Sequence, residues 1–323
     1  MTRFTFGAWI GLALACAFAA TWPFRGDWAQ DVANSTMNRP LAHAKTWRIE
    51  PNPADFNDLA ADPSDLLVIG AARYGKRRYT PDEIARLKVR ADGTRRLVVA
   101  VLAVGEIVEA SAAWDDAWTV QPPQWLGEAN CARPTVRRIR YWLPEWKDRL
   151  FRAPGSYLER IIAAGFDGVV LGGLDVVASF AASRPSAPRE MMQTVSGLAL
   201  AARALKPGFM VIAENGAAML ADPGYRTVID GIAVTGLLYA SDGSGVRKPP
   251  PDEIEQSMQL LRPLQKDGKP IFAIEVLHST RLIDRAVHDL RRRGVVASIA
   301  IQTRDASAAA NRGERACPPG SVW

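Results

Sequence analysis

Cysteine and histidine are scarce in this sequence, with three of each among 323 residues. His43, His278 and His288 are scattered, and neither Cys131 nor Cys317 has a partner at the short spacing of a metal-binding motif. That argues against zinc and leaves no metal or cofactor expected. A strong charge of one sign is also lacking. The formal net charge of +6 is modest for this length, and a run such as Arg291-Arg292-Arg293 suits a solvated helix end, where it complements the helix dipole. No basic strand face is interleaved with aromatics, so nucleic acid is not an expected partner. Composition also excludes disorder as the default. With 48% apolar and 23% charged residues, the chain can bury a large core.

The apolar block from Phe4 to Ala20 follows Met1-Thr2-Arg3 and precedes Thr21-Trp22-Pro23. It reads as an export signal, with Ala17-Phe18-Ala19 supplying the small-x-small pattern for cleavage. A retained anchor helix is the alternative, since spanning takes about 20 apolar residues. A lipid-modified Cys16 is disfavoured because Ala13 stands where such sites have a larger aliphatic residue. The expected location is therefore periplasmic or extracellular, with membrane contact only through this segment if it stays uncleaved. In an oxidising compartment Cys131 and Cys317 stand either as a disulfide or as two unlinked thiols.

Residues 21–44 are polar and irregular and read as a linker; residues 304–323 read as a tail. Between them, from 45 to 303, short apolar runs alternate with amphipathic stretches. Strands are expected at 46–49, 66–69, 97–104, 168–171, 210–213, 231–234, 270–276 and 295–301. Helix signals fall between them. Thr80-Pro81-Asp82-Glu83 is a capped start with proline in the first turn, Pro251-Asp252-Glu253 repeats it, and the helix through Tyr157 and Ile161 stops at Gly165. Strands apolar on both faces and separated by helices imply a parallel sheet. Eight such units predict a single-domain (β/α)8 barrel, with an open doubly wound sheet as the alternative.

One long interruption, 106–142, follows the third strand and holds Trp114, Trp118, Trp125 and Trp142 beside Pro122-Pro123 and Pro134. Two readings stand. The indoles stack on sugar rings at a barrel mouth, or they wedge the loop against the barrel.

In order along the chain, several segments resemble the barrel of glycoside hydrolase family 114, the endo-α-1,4-polygalactosaminidase-like proteins. They are Asp65-Leu66-Leu67-Val68-Ile69, Tyr79-Thr80-Pro81-Asp82-Glu83-Ile84, Val104-Gly105-Glu106, Pro123-Gln124-Trp125-Leu126-Gly127, and 136–146 with its Tyr141-Trp142-x-Pro144-x-Trp146 pattern. Further on come Ala163-Ala164-Gly165-Phe166-Asp167-Gly168-Val169, Glu214-Asn215-Gly216 and Ile229-Asp230-Gly231-Ile232. The resemblance covers nearly all of 46–302. It implies an exported barrel acting on an amino-sugar-type polysaccharide by acid-base cleavage, which needs one protonated and one ionised carboxyl across the glycosidic bond, at the C-terminal ends of strands.

The chain departs from that pattern at three acid positions: Gly70 after the second strand, Gly172 at the end of the fourth and Thr235 at the end of the sixth. The catalytic candidates that remain are Glu106, Asp175, Glu214 and Glu275. Each has a structural alternative: Glu106 and Glu275 orient neighbours or pair with an arginine such as Arg73, Asp175 caps a turn, and Glu214 bonds loop amides. Arg73, Tyr74, Trp114, Trp118, Trp125, Asn215 and Tyr239 are the candidate glycan contacts. A basic chain fits a cationic amino-sugar polymer only if its cleft is locally acidic. Two functions follow: a polysaccharide hydrolase with a rearranged acid pair, or a catalytically inactive barrel that binds a glycan or a partner.

Overall fold

The computed structural model describes residues 40–301 apart from 53–54, 74–76, 110, 131–132, 242–245 and 278, and apart from the side chains of 241 and 299–301. The expected export segment, Tyr74, Cys131 with Cys317, and the tail lie outside the described residues.

Eight parallel strands form one sheet in chain order. They are β1 Trp47–Glu50, β2 Leu66–Gly70, β3 Leu97–Ala103, β4 Gly168–Gly172, β5 Met210–Glu214, β6 Gly231–Thr235, β7 Ile271–Leu277 and β8 Val295–Ile301. Each pairs with the next. The indole Nε1 of Trp47 donates to the Val296 carbonyl at 3.1 Å, bringing β8 back to β1. The sheet is therefore a nearly closed barrel with helices outside. All eight strands stand within a residue of where the apolar runs put them.

Side chains alternate across each strand. Leu66, Val68, Val99, Val170, Ile212, Ala233 and Phe272 point into one buried cluster, the barrel interior. Their neighbours Leu67, Ile69, Val98, Ala100, Val169 and Leu171 belong to the outer cluster beneath the helices. Full burial of one Val or Leu contributes about 1.5–3 kcal/mol, so both sets must be apolar; β1 is the exception, its Arg48 and Glu50 alternating with Trp47 and Ile49 and Arg48 pairing with Asp58 and Asp62. Leu41 and Ala44, at the end of the stretch expected as linker, join the interior cluster beside Trp47. They thus belong to the barrel's packing.

The helix Pro81–Leu87 carries the full capping box, with Thr80 accepting from the Glu83 amide and Glu83 from the Thr80 amide. Helix Ala187–Leu205 buries Met191, Val195, Leu198 and Ala202, a stripe at helical spacing that lies on the sheet.

The interruption after β3 is no plain loop. It contains a three-stranded antiparallel sheet in which Val136–Ile139 lies between Glu106–Val108 and Leu126–Ala129. These strands span only three or four residues and bury one or two side chains each, among them Ile107, Leu126, Val136 and Ile139. So short a period leaves almost no alternation to read among prolines and tryptophans.

Candidate active site

The ends of β3 and β4 come together through two glycines. A Cβ on Gly105 would stand 2.1 Å from the Gly173 carbonyl oxygen, and one on Gly173, whose φ is +74°, would stand 2.6 Å from the Glu106 nitrogen. Only glycine permits both the approach and the left-handed turn. The contact sets Glu106 over the end of β4. Two residues beyond Gly173, Asp175 sits exposed in the short helical turn Leu174–Val176. Glu214 closes β5 alongside, half-buried.

These three carboxyls share an electrostatic environment. Burial raises the Glu214 carboxyl to about 7, with the negative charges of Asp175 and Glu106 adding to the rise and Arg133 opposing it. Glu106 is also pushed up by burial, with Arg133 pulling the other way and Asp175 adding to the rise. The Arg133 guanidinium meets both oxygens of Glu106, at 3.1 and 3.2 Å. Glu106 therefore pairs with Arg133, not with Arg73.

Asn215, next after Glu214, has φ +60°, a left-handed conformation asparagine tolerates better than most side chains. Its amide nitrogen donates to the Ala233 carbonyl at 2.8 Å. Its side-chain Oδ1 accepts from the Thr235 backbone N–H at 3.0 Å, and its Nδ2 donates to Asp175 Oδ2 at 3.5 Å. One side chain thus links the ends of β4, β5 and β6.

Glu275 stands apart from this cluster. It is fully buried and accepts from the backbone N–H groups of Leu238, at 2.8 Å, and Tyr239, at 3.0 Å. Burial raises it to about 7 while the amides of 237–239 favour its ionised form. The amide-binding role that the sequence offered Glu214 belongs to Glu275, which fastens the loop after β6. Tyr239 is part of that fastening: it is 5% exposed, and its buried hydroxyl has no hydrogen-bond partner among the described residues.

Trp114, Trp118 and Trp125 are 6%, 7% and 3% exposed. They form a run of edge-to-face contacts, 5.4 Å from Trp114 to Trp118 and 4.8 Å from Trp118 to Trp125, which ends on Trp146 at 4.6 Å. Trp146 in turn donates its indole N–H to the Val104 carbonyl at 3.1 Å. Of the two readings of the indoles, the geometry matches the wedge: their faces are spent on one another, and the run pins the segment leading to Glu106. Arg73 bonds Glu83 at 2.9 Å and lies over the Phe56 ring. The concavity beside it, about 430 Å³, is lined by Phe56, Glu83 and Arg86 among others and by none of the four acids.

The three departures differ in their surroundings. A Cβ on Gly70 would stand 2.2 Å from the Pro51 carbonyl oxygen, so backbone occupies that place. Among the described residues a Cβ on Gly172 would meet only Glu214 Oε2, at 3.2 Å. Thr235 is exposed and held through its N–H by Asn215. Arg133 was absent from the sequence candidates; its partner is fixed by the antiparallel fold of the insertion, which no local motif announces. Among the described residues no group of three or more His, Cys, Asp or Glu side chains is arranged to hold a metal ion.

The eight parallel strands in chain order, with helices outside, are the architecture of a (β/α)8 barrel. The chain superposes on the glycoside hydrolase domain of PelA from Pseudomonas aeruginosa with a TM-score of 0.62, covering 82% of this chain and 96% of that domain at 20% identity. An identity so low establishes shared fold alone. No protein-family model matches the chain. It is 31% identical over 231 residues to an uncharacterized protein of Deinococcus radiodurans, covering 70% of each chain. An uncharacterized protein of Thermotoga maritima is 30% identical over 239 residues, 71% of this chain and 70% of that one. The protein belongs to the family that contains these two bacterial proteins.

Proposed function

We propose that this protein hydrolyses glycosidic bonds in an amino-sugar-type polysaccharide, the class implied by the resemblance to glycoside hydrolase family 114, and does so with a rearranged acid pair. One observation carries the reading: Glu106, Asp175 and Glu214 converge from three successive strand ends with Arg133 as the cation that opposes them. Crowding like charges costs stability, and such arrangements cluster at sites of proton transfer. In the proposed reaction Glu214 gives its proton to the leaving glycosidic oxygen as the bond to the anomeric carbon breaks. Asp175, exposed beside it, supports the positive charge that develops on the sugar, as nucleophile or as base toward water. Water supplies the hydroxyl of the new reducing end and the proton that restores Glu214. Glu106, held by Arg133, adds to the negative field that keeps Glu214 protonated.

The locally acidic mouth also answers the mismatch between a basic chain and a cationic polymer, since ammonium groups would be drawn to it. An exported protein fits a polysaccharide substrate, and the Phe4–Ala20 block supports that location. A second reading is favoured by Gly172 and Thr235, which leave no carboxyl at two positions where the resemblance implies one: a barrel that binds the glycan and cleaves nothing. The test is incubation of the purified protein with deacetylated and acetylated galactosaminogalactan, measuring new reducing ends. Cleavage lost in Asp175→Asn and Glu214→Gln supports hydrolysis. Retained binding with no cleavage by the wild-type protein establishes the second reading.

A further inference from the structure

We propose that Asn215 is the positioning residue of this site, holding the Asp175 carboxylate against Glu214; this rests on the hydrolytic reading of the same acids. The orientation of its amide is fixed by chemistry. The Thr235 backbone N–H can only donate, so the group it meets at 3.0 Å must be Oδ1, and Nδ2 is left facing Asp175 Oδ2 at 3.5 Å. A carboxylate there accepts from an N–H donor and would repel an oxygen.

The backbone enforces the same arrangement. Asn215 is the non-glycine residue with positive φ among the described residues, and its own N–H is tied to the Ala233 carbonyl of β6. A left-handed residue directly after Glu214 turns the chain off the strand and sends its side chain across to β4 and β6 together. Non-glycine residues in this conformation gather at functional sites, where the surroundings hold them in place. Asparagine suits the position twice over, tolerating the dihedral and offering an acceptor and a donor on one short stem.

Asp175 is otherwise exposed on its turn, and this amide restrains it beside Glu214. The groups facing Glu214 are Asp175 from the turn after β4, Glu106 from the strand after β3, and Arg133 from the insertion. Freeing Asp175 removes one of the two negative charges that assist burial in raising Glu214. Adding a charge at 215 does the reverse.

Two full-length variants separate positioning from general damage. Asn215→Gly accepts the dihedral and loses the amide; Asn215→Asp keeps the shape and adds a negative charge. Hydrolysis of deacetylated galactosaminogalactan by Asn215→Gly should show kcat lower by on the order of 10- to 100-fold, as for a misplaced catalytic group, with KM changed far less. The Glu214 carboxyl is followed in parallel by infrared titration, identified by subtraction of Glu214→Gln. Its midpoint should fall in Asn215→Gly and rise in Asn215→Asp, with the alkaline limb of the pH-rate profile moving the same way. An unmoved midpoint in both variants overturns the proposal, as does wild-type kcat in Asn215→Gly. If the wild-type protein cleaves nothing yet the midpoint moves in these opposite directions, the hydrolytic reading fails while the coupling of Asn215, Asp175 and Glu214 stands.

Discussion

A Cβ on Gly172 would stand 3.2 Å from Oε2 of Glu214 and, among the described residues beyond its chain neighbours, within 4 Å of no other atom. The acid of β5 therefore reaches into the space that glycine leaves at the end of β4. At Gly70 the corresponding space holds the Pro51 carbonyl, 2.2 Å away. A flexible side chain can yield, whereas backbone cannot without moving a strand connection. Gly172→Asp is expected to fold with a cooperative melt, and Gly70→Asp to lose about 3 kcal/mol or more, or to fail to fold. Thermal unfolding of the two variants side by side checks this, and an equal loss in both would contradict it.

Glu214→Gln should trade activity for stability. If Glu214 is the proton donor, wild-type kcat/KM falls as pH rises through about 7, where its carboxyl ionises. The stability effect has a definite sign. A carboxyl whose folded-state value lies above its unfolded one, near 4.3, holds more protons when folded, so the folded protein loses stability as pH climbs from about 4 to about 7 and levels off above. Glutamine has no such loss. The variant should be more stable than wild type at pH 8, by up to about 3 kcal/mol, and gain little at pH 4. Denaturant unfolding at both values decides it; a variant less stable at pH 8 would exclude like-charge crowding at the site.

For Glu275 the same substitution should do the opposite. Its two oxygens accept from the N–H groups of Leu238 and Tyr239, and glutamine would turn an NH2 toward one of those donors. A buried donor left facing a donor costs about 1–3 kcal/mol. At pH 5, where the raised Glu275 carboxyl is protonated and replacing it relieves no buried charge, Glu275→Gln is expected to lower the melting temperature while leaving the pH-rate profile of the surviving activity in place. A shifted profile would move Glu275 into the proton-transfer chemistry.

Trp118 sits 7% exposed between Trp114 and Trp125. Trp118→Ala should cost about 3–5 kcal/mol, as for other buried large aromatics. Glycan affinity, measured well below the melting temperature, should change much less than stability. A large loss of affinity with an unchanged melt would return the indole to a sugar-stacking role.

The positions of Trp118 and Glu275 show how far the sequence could be read. In the sequence Trp118 stands in an aromatic-rich interruption, open to a sugar-stacking or a wedging role, and Glu275 is an acid in β7, open to a catalytic or an orienting one. Neither pattern says which way the side chain faces: Glu275 is met by the loop after β6, and Trp118 is turned inward once the insertion folds back on itself. That depends on the antiparallel pairing of Glu106–Val108 with Val136–Ile139, two segments separated by prolines and tryptophans. The same pairing region carries Arg133 to Glu106, a contact between residues 27 apart in the chain. Contacts of that separation leave no local periodicity to detect.

What the sequence determined by itself is the barrel. Strands buried on both faces must be apolar throughout, and helices between them must show caps and a one-sided stripe, so each element signals itself within its own few residues. Candidate acids could be counted off at the strand ends, but the count did not separate Glu275, which holds the amides of Leu238 and Tyr239, from the three that come together. The arrangement of those acids was decided by tertiary structure alone. Gly105 and Gly173 bring two strand ends into contact, Asn215 ties three together, and burial with neighbouring charge holds Glu214 near neutrality, all through atoms supplied by distant parts of the chain. A carboxyl's chemistry is set by what surrounds it, and surroundings exist only after folding.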